Sequence, residues 1–151
     1  MEISMRMQSF SPMLSALALS ASILCASPAL ADMVKMKATL DGAQQSPPVT
    51  TKGEGSAALV FDTATKRLSW AVKYAGLSGP ATAEHIHGPA AKGENADVVI
   101  PFKGAPKSPF KGSAELTDAQ AADLMAGKYY INIHTAAHKD GEIRGQIEKA
   151  E

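Results

Sequence analysis

His85 and His87 stand one residue apart in AEHIHGPA, and His134 and His138 stand four apart in INIHTAAHKDG; these are all four histidines of the chain. A neutral imidazole is a good nitrogen ligand for a transition metal. If the first segment is a β-strand, His85 and His87 point the same way and Ile86 points inward. Their Cα atoms then lie about 6.5 Å apart, close enough for both rings to reach one ion. In the second segment Tyr129, Ile131 and Ile133 form an apolar face, so Tyr130, Asn132 and His134 project from the other. His138 falls in the following turn, and its convergence depends on the conformation of that loop. An all-imidazole set of His85, His87 and His134, with His138 as a fourth candidate, suits Cu(II), Zn(II) or Ni(II). The Irving–Williams order puts copper first, and zinc is the alternative. Beyond the turn, Glu142 and Arg144 share the side of His134 and are expected to orient the imidazoles or tune their charge.

Positioning these residues requires strands, and the chain supplies them. Residues 33–40 (MVKMKATL) alternate apolar and polar side chains, the signature of a strand with one buried face, expected at an edge or outer position. Residues 55–62 and 66–74 read as two further strands around a tight turn, the second placing Leu68, Trp70, Val72 and Tyr74 on one face. Residues 97–102, a short strand from Ser113, and the pair 128–134 and 142–147 complete the set. Asp140-Gly141 supplies hairpin turn chemistry in the last pair. One helix is expected over about 117–126, opened by a capping box of Thr117 and Gln120 and closed by Gly127. Short strands with Gly/Pro loops argue for an all-β antiparallel sandwich or barrel.

The first 31 residues have a weakly basic start at Arg6, an apolar run over 13–26 and an Ala29-Leu30-Ala31 ending. This is the pattern of a secretory signal peptide cut after Ala31, leaving 32–151 as one domain in the periplasm or outside the cell. Cys25, the chain's one cysteine, would leave with that leader, which excludes disulfides and thiolate ligands from the mature domain. Fifteen basic residues balance fifteen acidic ones, and no Lys/Arg run stands out. Nucleic acid and anionic membrane are therefore not expected partners. No nucleophile triad, phosphate loop or carboxylate pair at recognisable spacing is present, and Glu84, Glu94, Asp97 and Asp140 read as solvated loop charges.

ATLDGAQQSPPV, GSAALVFD, EHIHGPA and YYINIHTAAHKDGEIRGQI together resemble the CHRD domain, a module first described in chordin, over about 34–147. The resemblance implies an immunoglobulin-like Greek-key β-sandwich, similar in shape to copper/zinc superoxide dismutase. It places the family's His-x-His on His85 and His87, its His-Thr on His134-Thr135, and its Gly-Glu-Ile-Arg-Gly on 141–145. At the turn, where the family commonly has Asn-Pro-Gly, this chain has His138-Lys139-Asp140. The dismutase histidine shared by two metals, the rest of the zinc site and the disulfide have no counterparts, so dismutase activity is not expected. Two readings follow. One is an exported copper-binding protein that sequesters or delivers the ion, to a metal-handling partner or as a metal-assembled homodimer. The other is an extracytoplasmic protein- or matrix-interaction module with structural histidines. A copper redox enzyme ranks below both.

Overall fold

A computed structural model describes residues 32–104 and 107–151. The leader expected over 1–31 and Cys25 lie outside the described residues. Strands β1 (Met33–Asp41), β2 (Glu54–Asp62) and β3 (Arg67–Ala75) are followed by β4 (Ala81–His87), β5 (Val98–Pro101) and β6 (Phe110–Glu115). Helix α1 (Asp118–Met125) then leads to β7 (Tyr130–Thr135), β8 (Ile143–Gln146) and the two-residue β9 (Glu148–Lys149). The strands hydrogen-bond in the order β5-β4-β7-β8-β1-β2-β3-β6, with β9 also on β1, and every pair is antiparallel. The curled sheet packs one half against the other as an all-β sandwich with one short helix. The connections β3 to β4, β5 to β6 and β6 to β7 each cross between the halves.

Period-2 patterning sets the core. Met36, Ala38 and Leu40 of β1, Leu59 and Phe61 of β2, and Leu68, Trp70 and Val72 of β3 are buried. They meet Ile86, Ile131, Ile133 and Ile143 from the other half. Each fully buried Leu, Ile or Phe side chain contributes about 1.5–3 kcal/mol. The helix begins as the sequence indicates: Gln120 N donates to Thr117 Oγ1 and Thr117 N donates to Gln120 Oε1. Gly127, at φ 72°, follows its C-terminus. A Lys66–Asp118 ion pair fastens the helix start to the β2–β3 turn.

Strand β1 is interior, which corrects its expected outer position. It pairs with β2 along its whole length and, on its other side, with β8 at Asp41–Arg144 and with β9 at Met36–Lys149 and Lys37–Glu148. Its exposed lysines lie on the outer face of the sheet, so alternation alone does not distinguish an edge strand from a central one. The close approach of β8 to β1 needs Gly145, because a Cβ there would lie 2.4 Å from the Thr39 carbonyl oxygen. Gly145→Ala is expected to cost about 1–3 kcal/mol through backbone displacement, read as a lower urea midpoint. An unchanged midpoint would show that the seam yields freely.

The side of β7 and β8 that alternation points away from the core is also buried, at every residue, and His87 at the end of β4 is buried with it. Two loops cover it. In the loop after β1, Gln45 Nε2 donates to Asn132 Oδ1 at 2.7 Å. In the loop after β4, the Glu94 carbonyl and Asn95 Oδ1 accept from Arg144 at 2.7 and 3.1 Å, and the Ala90 carbonyl accepts from Gln146 at 3.2 Å. Asn95 Nδ2 donates to the Ser46 carbonyl at 2.9 Å and ties the loops together.

Candidate metal centre

Strands β4 and β7 are direct neighbours, with Ala83 opposite His134, His85 opposite Asn132 and His87 opposite Tyr130. That register delivers His134 to the face carrying His85 and His87. One nitrogen from each of the three rings lies within 4.8 Å of the others, and among the described residues no further His, Cys, Asp or Glu joins the group. His85 is half-buried, whereas His87 and His134 are buried. His138 stays in the turn, half-buried, in a hollow shared with Gln45, Pro47 and Asp140. The structure thus gathers three of the four histidines singled out from the sequence.

The hydrogen bonds define which nitrogens are available. His87 Nδ1 lies 2.9 Å from the Ala96 carbonyl and His134 Nδ1 lies 2.8 Å from the Lys139 carbonyl. A carbonyl only accepts, so both Nδ1 atoms carry protons and both Nε2 atoms present lone pairs. His87 Nε2 is buried without a hydrogen-bond partner. His134 Nε2 faces His85 Nδ1 at 3.2 Å, sharing one proton. Two nitrogens bound tetrahedrally to one ion at about 2.0 Å sit about 3.3 Å apart, so this pair already has a ligand spacing. A cation replacing the shared proton and drawing in His87 would satisfy all three rings. The carbonyls on the distal nitrogens fix tautomer and ring orientation, as outer partners of metal-bound histidines do.

The local electrostatics disfavour a proton on His85 and His87. Burial pushes the His85 imidazole below the ordinary histidine value, and charge on His134 or His87 pushes it further. Burial also lowers His87; the Ala96 carbonyl and Asp97 oppose this, while His134 and Arg144 add to it. Neutral rings are the coordinating form.

Arg144 and Glu142 stand differently towards the cluster. Arg144 is buried and reaches the cluster through Tyr130: its guanidinium carbon sits 3.5 Å from the Tyr130 ring centroid, and that ring stacks on His87 at 5.1 Å and 6°. No carboxylate pairs with it among the described residues. Glu142 touches no histidine. Its carboxylate accepts from Thr51 Oγ1, Ser78 N, Ser78 Oγ and Thr135 Oγ1 at 2.6–2.8 Å and clasps three segments of chain. Burial pushes this carboxyl up, but the four bonds outweigh it and hold it at about 2.

Sequence reading missed two participants. Tyr130 was placed on the histidine side without a role, although a side chain two residues from Asn132 and paired with His87 would be found from the register. Glu84 is no loop charge: it lies in β4, alternates inward with Ile86 and is 1% exposed. Tyr74 Oη donates to its Oε1 at 2.7 Å, and burial pushes its carboxyl up.

An antiparallel sandwich with a three-imidazole cluster on one strand pair defines the class of this molecule. The CHRD domain family matches it over residues 36–147, and the chain belongs to that family. No curated protein and no solved structure matches the chain significantly.

Proposed function

We propose that this is an exported metal-binding protein whose cargo is copper, held by His85, His87 and His134 for sequestration or delivery. The observation that carries the reading is the convergence of three imidazoles, one with a buried and unpartnered Nε2. Burying a polar atom without a partner costs free energy, and a bound cation removes that cost. Nitrogen-only donors favour copper over zinc at equal availability. Export is the reading of the leader segment; among the described residues no helix is long and apolar enough to cross a membrane.

The test is calorimetry of Cu(II) and Zn(II) into the purified protein, with thermal unfolding in parallel. Stoichiometric binding is expected, with copper tighter than zinc. At a free ion concentration a thousand times Kd the native state gains about 4 kcal/mol, a shift of several degrees in Tm. Unchanged heat and unchanged Tm would reject the proposal and leave the interaction module as the reading.

The pH dependence follows from the same rings. Protons compete for the imidazole lone pairs, so affinity falls with pH. Because His85 and His87 hold protons more weakly than a free histidine at 6.5, the decline is expected to set in below that value. Titrations at pH 7.5, 6.5 and 5.5 check this; affinity undiminished at the lowest pH would exclude histidine ligands.

A further inference from the structure

The outer face of the β2–β3–β6 sheet, on the half of the molecule away from the histidines, carries a second feature. Ala58 of β2 pairs with Ala71 of β3, and Ala71 pairs with Lys111 of β6. Two methyl side chains side by side leave the sheet surface low at this point. Pro109 and Phe110 border an open hollow of about 430 Å³, the Phe110 ring itself lying on the core side against Tyr74 and Phe102. The wall is fastened: Tyr74 N donates to Ser108 Oγ, which donates back to the Tyr74 carbonyl, both at 2.8 Å. Lys73 and Lys111 stand exposed at the rim, and neither has an ion-pair partner among the described residues. They come from different strands, so no basic run marks them in the sequence.

A small apolar basin with two unneutralised ammonium groups has the elements of a small-molecule site: an apolar floor and a few polar groups that fix orientation. From this we propose that the hollow binds an apolar monocarboxylate, a medium-chain fatty acid being the class that fits. The hydrocarbon lies on Ala58, Ala71 and Pro109, and the carboxylate sits between Lys73 and Lys111. The volume lies within the range of ligand pockets. The charge complementarity is specific: a neutral molecule of the same shape leaves both lysines uncompensated, and a cation is repelled. The assignment is independent of the metal centre.

Octanoate is the probe, titrated at low ionic strength in the presence of a chelator and followed by amide chemical shifts. Shifts are expected at Ala58, Ala71 and Lys111 and not at the histidines. Octanamide is expected to bind at least 10-fold more weakly, as is octanoate to the double variant Lys73→Gln, Lys111→Gln. Ala71→Leu, which fills the basin from its solvent side, is expected to abolish the shifts while circular dichroism stays native. The proposal is overturned if octanoate leaves these amides unmoved, if octanamide binds equally well, or if the lysine variant retains full affinity. Because the octanamide comparison uses the unaltered protein, a folding defect in either variant leaves the test intact.

Discussion

Replacing His87 with alanine is expected to weaken Cu(II) binding by at least about 100-fold, the largest effect of any single change at the site. His87 contributes the buried Nε2 that has no other partner, and its ring orientation is fixed by the Ala96 carbonyl and the Tyr130 stack. Removing the ring also deletes packing against Tyr130, so some loss of stability accompanies the loss of affinity. His85→Ala separates the two effects: this ring is half-buried, and its truncation is expected to weaken Cu(II) binding, by less than His87→Ala, with little change in the urea midpoint. His138→Ala, which alters a residue outside the cluster, is expected to bind copper as the parent does. Equal affinity in the parent, His85→Ala and His87→Ala proteins would reject the site.

The second large effect concerns stability. Glu142 is wholly buried, and its carboxylate satisfies four donors from Thr51, Ser78 and Thr135. Glu142→Leu leaves those donors without an acceptor and is expected to cost about 3–4 kcal/mol. Glu142→Gln, which keeps an acceptor oxygen but loses the charge, is expected to cost less. The pH dependence has a definite sign. The folded carboxyl, at about 2, lies below its ordinary value of 4.5, so its contribution is fully present above the ordinary value. It is lost as pH falls towards 2, and the linkage is worth up to about 3 kcal/mol. Urea unfolding at pH 7, 4 and 2.5 measures it. The parent should lose stability across this range more steeply than Glu142→Gln, and parallel curves would rule out Glu142 as the source.

Much of the architecture was legible because it depends on local rules. Alternation located β1, β2 and β3, the Thr117–Gln120 capping box located α1, and Asp140-Gly141 located the last hairpin. The inward isoleucines at 86, 131 and 133 were correctly separated from His85, His87 and His134 by period 2. Strand neighbours were not legible. That β4 lies beside β7 is what assembles the three histidines, and that adjacency links residues 49 apart in sequence. Burial of the outward residues was hidden for a similar reason. Asn132, His134 and Arg144 read as lying on the side away from the apolar face, yet the loops at 42–53 and 88–97 fold over them. Strand β6 begins at Phe110, three residues before the expected start, because a Gly/Pro-rich preceding segment masks its alternation. The same masking upstream of β4 made Glu84 look like a loop residue.

The seam between β1 and the strands at the other end of the chain bears on how the molecule forms. β1 completes its second edge only with β8 and β9, more than a hundred residues later, and the Gln45–Asn132 bond spans 87 residues. Contacts of such long range must overcome the entropy of closing large loops before they stabilise anything, which makes folding slow compared with a helical protein of equal size. The β1–β2–β3 meander and the β7–β8 hairpin are locally connected, whereas the pairings of β4 with β7 and of β1 with β8 and β9 join distant segments. Until β4 and β7 pair, His85, His87 and His134 are separated along the chain, and the three-imidazole cluster exists only once that long-range pairing has formed.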